Sequence, residues 1–239
     1  MLSTFFVPEG TDFSANQIEV GGDEAHHGVN VLRLKQSEEL KISDGVGSWG
    51  IGKVSQLSKK SFTVEISDRG FEHSPKQRVV VVQAILKNDA NKEAVDFLTQ
   101  VGADEIIPWQ SQHSIGKFDD KSLSKWQSAA RESSRQSRRV RIPVISNAYS
   151  TESLISKIQG LQNIFVLHES AENRLSQIEI NQEVDVILIV GPEGGLSEIE
   201  VNAFVDAGAK VVRLGESVLR AANAGAAAVS VVMSRTGKW

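Results

Sequence analysis

Polar and apolar positions alternate in short runs over the first third of the chain, and then the period changes. Ser61-Phe62-Thr63-Val64-Glu65-Ile66 puts every second residue on one face, the pattern of a half-buried strand. Leu40-Lys41-Ile42-Ser43 runs into Asp44-Gly45, a strong hairpin signal, and residues 48–54 supply the returning strand. One helix-like stretch, 23–34, interrupts this pattern. Residues 1–72 are therefore expected to form a small β-barrel-like domain, with the polar, turn-prone segment 70–78 as linker. From 78 to 86 the apolar run is nearly continuous, as in a strand covered on both faces. Residues 89–101 then carry Ala94, Val95, Phe97, Leu98 and Val101 at helical spacing, with Gly102 as the stop. Strands at 105–109, 164–167, 184–190 and 210–214 alternate with helices around 121–139, 151–158, from 198, and 219–234. That grammar predicts, for 76–239, an α/β domain with a parallel sheet and helices on both faces.

Two strand ends carry glycine-rich turns. Val186 to Val190 leads into Gly191-Pro192-Glu193-Gly194-Gly195, and Ser197 with Glu200 has the spacing of a helix capping box. Ligands of open α/β sheets sit beyond the C-terminal ends of the strands, where glycines let backbone groups approach closely. A tight βα turn without a ligand has the same appearance. Leu214-Gly215 and the small-residue stretch after Leu219 repeat the arrangement, with Arg220 and Asn223 three apart on one helical face. Gly45-Val46-Gly47-Ser48-Trp49-Gly50 fits the dinucleotide pattern letter for letter, but a strand follows where a helix is required, so it reads as a hairpin turn.

Charge alters the picture when it is divided by position. The chain is acidic overall, at −4, yet residues 76–141 hold twelve Lys/Arg against eight Asp/Glu. Arg131, Arg135, Arg138, Arg139 and Arg141 fall within eleven residues beside one acid, Glu132, and Arg135, Arg138 and Arg139 are spaced as a helical stripe. Like charges at that spacing destabilise a helix, which favours a phosphate- or RNA-binding face over an ordinary solvated one. The chain has no cysteine, which excludes thiolate catalysis and Cys-ligated zinc. Its histidines form no H-x-x-x-H pair, so no metal site is expected. His168, at a strand end, is either a site residue or a satisfied structural histidine. No signal peptide and no bilayer-spanning run is read, so no membrane partner and a cytoplasmic location are expected.

In order, Val31-Leu32-Arg33 after His26-His27, Gln136-Ser137-Arg138-Arg139 before Pro143, Leu167-His168-Glu169, Gly191 to Ser197, and Leu214-Gly215 with Val218-Leu219-Arg220 resemble the ribosomal RNA small subunit methyltransferase E family of the SPOUT superfamily. The resemblance spans nearly the whole chain. It implies a SPOUT-type α/β parallel sheet with a C-terminal trefoil knot, preceded by a PUA-like β-barrel domain, and a homodimer acting on 16S rRNA in the small ribosomal subunit. It further implies methyl transfer from S-adenosyl-L-methionine to N3 of a uridine. The cofactor would meet Leu167, His168, Glu169, Gly191, Glu193, Gly194, Gly195, Leu214, Gly215, Val218, Leu219, Asn223 and Ala224. Arg139 and Arg220 are the expected catalytic residues, and Arg33, Lys35, Arg135, Arg138 and Arg141 the expected RNA contacts. The alternatives are a SPOUT enzyme with another RNA target, or a non-catalytic RNA-binding protein on the same fold. The chain departs from the family pattern at Ala222-Asn223, where Glu-Thr is common, and at His113, where an Arg often precedes the Ser.

Overall fold

The computed structural model describes residues 2–239. They form two units, one of the chain up to Ser74 with Ser134–Ile142, the other of Pro75–Ser133 with Pro143–Trp239. The first unit holds β1 (Ser3–Phe6), β2 (Gln17–Val20), α1 (Gly22–His26), β3 (Glu39–Ser43), β4 (Ser48–Leu57) and β5 (Phe62–Phe71). Its sheet runs β1-β3-β4-β5-β2, with β1 parallel to β3 and the other pairs antiparallel. The alternation in β5 sends Phe62, Val64 and Ile66 into a core with Phe5, Ile18, Leu40, Ile42 and Val54. The Gly45–Gly50 run covers the β3–β4 turn and the first residues of β4. Asp44 Oδ1 accepts from the N–H groups of Val46 (2.8 Å) and Ser48 (3.0 Å), and Gly45 and Gly47 take φ of 80° and 131°.

Two expectations in this unit change. The helix expected over 23–34 stops at His26, continues as a single π-type turn over His27–Val31, and is ended by Arg33 at φ 55°. The basic segment 134–142, which the sequence division assigns to the second domain, packs with the first unit. The Ser43 hydroxyl donates to the Val140 carbonyl at 2.7 Å, Ile142 N–H to the Gly45 carbonyl at 2.9 Å, and the Arg141 guanidinium to the carbonyls of Val46 and Glu72.

The second unit continues with β6 (Val79–Ala84), α2 (Ala90–Gln100), β7 (Glu105–Gln110), α3 (Asp120–Gln136, whose last turn belongs to the first unit), β8 (Val144–Ile145), β9 (Tyr149–Ser150), α4 (Thr151–Ile158), β10 (Ile164–Leu167), β11 (Val186–Val190), α5 (Glu198–Asp206), β12 (Lys210–Val212) and α6 (Ala221–Arg235). All pairs of its sheet are parallel, in the order β12-β10-β11-β6-β7-β8 with β9 also on β7. Strands β6 and β11 are buried along their whole length, which accounts for their unbroken apolar runs. One face packs on Leu154 and Ile158 of α4 and Phe204 of α5. On the other face, Gly225 of α6 sits so close to Leu98 of α2, Gln83 and Val190 that a Cβ there lies 3.0 Å from the Leu98 side chain. At the far end the Lys238 ammonium donates to the Gln77 carbonyl, and burial lowers its pKa below the usual lysine value.

The stripe expected on α3 does not form. The helix ends at Gln136, Arg138 turns to φ 60°, and Arg139 N–H and Arg138 N–H bond back to the carbonyls of Ser134 (2.9 Å) and Arg135 (3.3 Å). This is a Schellman stop, with an arginine at the left-handed position usually held by glycine. Arg135 is withdrawn from solvent as well. Its guanidinium meets Glu24 Oε1 at 3.2 Å, with side-chain exposures of 16% and 6%.

Candidate functional site

Strands β12, β10 and β11 are neighbours in the sheet, so the loops leaving their C-terminal ends gather at one place. They line a cavity of about 730 Å³, closed on one side by the starts of α2 and α6. Twelve of the thirteen residues expected to meet the cofactor lie around it: Leu167, His168 and Glu169 after β10, Gly191, Glu193, Gly194 and Gly195 after β11, and Leu214, Gly215, Val218, Leu219 and Ala224 from the last crossing. Asn223 is exposed and is not among the lining residues, whereas Arg220 is. Ala90, Glu93, Arg213 and Glu216 also line the cavity and were missed. Arg213 and Glu216 flank the Leu214-Gly215 turn, whereas Ala90 and Glu93 belong to no glycine turn, and only the folded topology brings those two there.

The β11 loop is held from three sides. Ser197 and Glu200 form both halves of the capping box at the start of α5. Glu200 is 3% exposed and accepts four bonds: from Gln112 N–H (2.8 Å), the Thr151 hydroxyl (3.3 Å), Ser197 N–H (3.1 Å) and the Ser197 hydroxyl (2.9 Å). One carboxylate thus ties the glycine loop to the segment after β7 and to the start of α4. Replacing Ser197 with Ala is expected to lower stability by about 1 kcal/mol; an unchanged urea midpoint contradicts the capping role. His113, one of the two family departures, lies on this loop, its Nδ1 3.0 Å from the Gly195 carbonyl. Because a carbonyl only accepts, His113 Nδ1 carries the proton. The side chain of Glu193 accepts from Lys87 N–H at 3.2 Å, linking the loop to the end of β6.

On the neighbouring loop, His168 Nδ1 accepts from Ser170 N–H at 3.2 Å and His168 N–H donates to the Val212 carbonyl at 2.9 Å. Glu216 pairs with Arg174 at 2.6 Å and Arg213 at 3.5 Å, which bolts the third loop to the first. The buried Nε of Arg213 finds no partner among the described residues. The cavity lining therefore holds four carboxylates, Glu93, Glu169, Glu193 and Glu216, against two guanidiniums, Arg213 and Arg220. Open backbone at Gly195 and Gly215, where a Cβ meets nothing within 4 Å, completes it.

Comparison with known proteins follows the same division. Residues 72–233 match the RNA methyltransferase domain family and residues 20–67 the RNA methyltransferase PUA domain family. The chain is 35% identical to the ribosomal RNA small subunit methyltransferase E of Mycobacterium bovis, over 98% of this chain and 92% of that one. The chain belongs to the ribosomal RNA small subunit methyltransferase E family. The Bacillus subtilis member is 25% identical over 93% of this chain and 91% of its own length. In fold, the chain is similar to the Neisseria gonorrhoeae member crystallised with S-adenosyl methionine, with a TM-score of 0.89 at 22% identity and 98% of each chain covered. The expected fold class, a parallel-sheet α/β methyltransferase domain preceded by a PUA-like domain, is borne out. No helix among the described residues is long and apolar enough to cross a membrane.

Proposed function

We propose that this chain transfers a methyl group from S-adenosyl-L-methionine to N3 of a uridine in 16S rRNA of the small ribosomal subunit. The observation that carries the reading is the one cavity formed by the loops after β10, β11 and β12, two of which bear glycines. Its volume, about 730 Å³, lies in the range of small-molecule sites. Its excess of carboxylates suits a ligand bearing a sulfonium and an ammonium, and the unpartnered Arg213 Nε and open glycine backbone offer groups for its carboxylate and base. The residues present therefore fit the cofactor, and they would hold it through 167–169, 191–195 and 214–224. When bound, it supplies an electrophilic methyl group.

The remaining work falls to the chain. Uridine N3 carries a proton, and the uracil becomes anionic as that proton leaves, so a cation beside the ring lowers the barrier. Arg220 lines the cavity, which supports it in this role. Arg139, in the returning segment of the first unit, is the second candidate. The exposed Val218 and Leu219 at the cavity lining support a homodimer in which a second copy covers this edge. Membership of the family supports the trefoil knot, and the ribosomal substrate supports a cytoplasmic location. Calorimetry with S-adenosyl-L-methionine should give one site per chain. Nucleoside analysis of rRNA from cells lacking the gene should show loss of 3-methyluridine. Absence of heat on titration contradicts the cofactor reading, and unaltered 3-methyluridine contradicts the target atom.

A further inference from the structure

Gly194-Gly195-Leu196 is the stretch of cavity wall with the greatest backbone freedom, because two successive glycines carry no Cβ to limit their dihedrals. Glu193 fastens its front end to Lys87 N–H, and the Ser197–Glu200 box fastens its far end. Between these ties Gly195 N–H donates to the Pro192 carbonyl at 3.0 Å, and Gly195 takes φ 74°. The Gly195 carbonyl, which sets the orientation of the peptide leading to Leu196, lies 3.0 Å from His113 Nδ1. His113 itself sits on a fastened turn. Ser114 N–H donates to the Ser111 carbonyl at 3.1 Å, the two serine hydroxyls are 2.8 Å apart, and Gln112 N–H donates to Glu200 at 2.8 Å. The same residue also lies against Gly194, where an added Cβ would stand 3.2 Å from the His113 Cβ. Gly194 has no positive φ, so its missing side chain makes room for His113 rather than serving a special backbone conformation. The imidazole is exposed and is not among the residues that line the cavity.

We propose that His113 is a positioning residue for cofactor binding: its Nδ1–H, held on the Ser111–Ser114 turn, fixes the Gly195–Leu196 peptide from behind, so that the glycine loop meets S-adenosyl-L-methionine already ordered. The inference rests on the cofactor reading. A glycine peptide left free must be ordered when the ligand arrives, and that entropy is subtracted from the affinity. A restraint present beforehand removes the cost. The role asks for a donor at one place. A carbonyl only accepts, so the neutral ring must keep its proton on Nδ1, in one of its two tautomers. It asks for no acid or base chemistry, so methyl transfer to RNA should not depend on the ring once the cofactor is bound. Because the imidazole is exposed, its truncation empties no core.

The test uses the full chain with His113→Ala, His113→Asn and His113→Gln. Asn carries its N–H₂ group on Cγ, where the imidazole carries Nδ1, and can donate to the same carbonyl; Gln carries it one bond further out. In calorimetry with S-adenosyl-L-methionine, the Ala and Gln variants should bind about three- to tenfold more weakly, and the Asn variant within about twofold of wild type. All three should keep the wild-type thermal midpoint and the wild-type single-turnover methylation rate at saturating cofactor and RNA. Nitrogen NMR of the wild type, with the ring neutral, should place the proton on Nδ1. Wild-type affinity in the Ala variant overturns the proposal, as does an Asn variant no better than Gln, or a proton found on Nε2. A lowered saturated rate in the Ala variant also overturns it, because the ring would then act in the chemistry. Absence of cofactor binding by the wild type is the separate failure that sinks the cofactor reading, and the inference with it.

Discussion

Replacing Glu200 with Ala is expected to destabilise the protein by about 3 kcal/mol, a drop of roughly 6–12 °C in thermal midpoint for a chain of this size. The carboxylate is buried and accepts four bonds from three segments, so truncation removes the capping box and leaves the Gln112 and Ser197 N–H groups without acceptors at once. Hydrogen bonds to charged acceptors contribute more than neutral ones, and the cap alone accounts for about 1 kcal/mol. Water entering the partly exposed ends of the site offsets some of the loss, which holds the figure well below the sum of the four bonds. Glu200→Gln keeps one carbonyl oxygen for Gln112 and Thr151 but sets an amide N–H₂ against Ser197 N–H, so about half the loss is expected. Because the glycine loop hangs from this carboxylate, hydrogen exchange across 191–197 should accelerate in both variants. A thermal midpoint within 1 °C of wild type for Glu200→Ala would sink the account.

This hub shows how far the chain could be read before folding. The capping box is a local pattern, so Ser197 and Glu200 announce α5 and its preceding loop from sequence spacing alone. That Glu200 also accepts from Gln112 and Thr151 depends on β7 and α4 arriving beside the loop, and no spacing encodes it. The same holds for Glu193, whose partner Lys87 lies 106 residues away. The β–α alternation identified the parallel sheet because buried strands and amphipathic helices each carry their own period. The strands β8 and β9, two residues each, are too short to show any. The arginine stripe failed for a different reason. Helical spacing predicted one face for Arg135, Arg138 and Arg139, but the helix stops without a glycine to mark the stop, and Arg138 takes the left-handed position instead. Asn223 was placed on one helical face with Arg220, yet Arg220 stands before α6 as its N-cap, and Asn223 is exposed and outside the lining that Ala222 and Ala224 join.

Substituting Arg220 with Ala should lower the single-turnover methylation rate by about 10²- to 10³-fold while leaving the affinity for S-adenosyl-L-methionine within a few fold. That is the range found when a donor aimed at a developing anion is removed. The structure makes the variant a clean one. Arg220 stands just before α6, and its contribution to the helix start is its carbonyl, which accepts from the N–H groups of Asn223 and Ala224 at 2.9 Å each. Alanine keeps that carbonyl, so the helix and the small-residue packing behind it should survive, and an unchanged thermal midpoint would verify this. The pH profile carries the mechanistic content. If the guanidinium stabilises the uracil anion, its loss leaves N3 holding its proton more tightly, and the variant's rate should go on climbing with pH where that of the wild type has levelled. Arg220→Lys, which restores charge without the planar fork, should recover part of the rate. Arg139→Ala supplies the contrast: an unchanged rate at saturating RNA assigns the anion to Arg220 alone, whereas equal losses in the two variants require both. A variant at 220 that loses cofactor affinity but keeps its single-turnover rate at saturation would make Arg220 a binding residue and remove it from the chemistry.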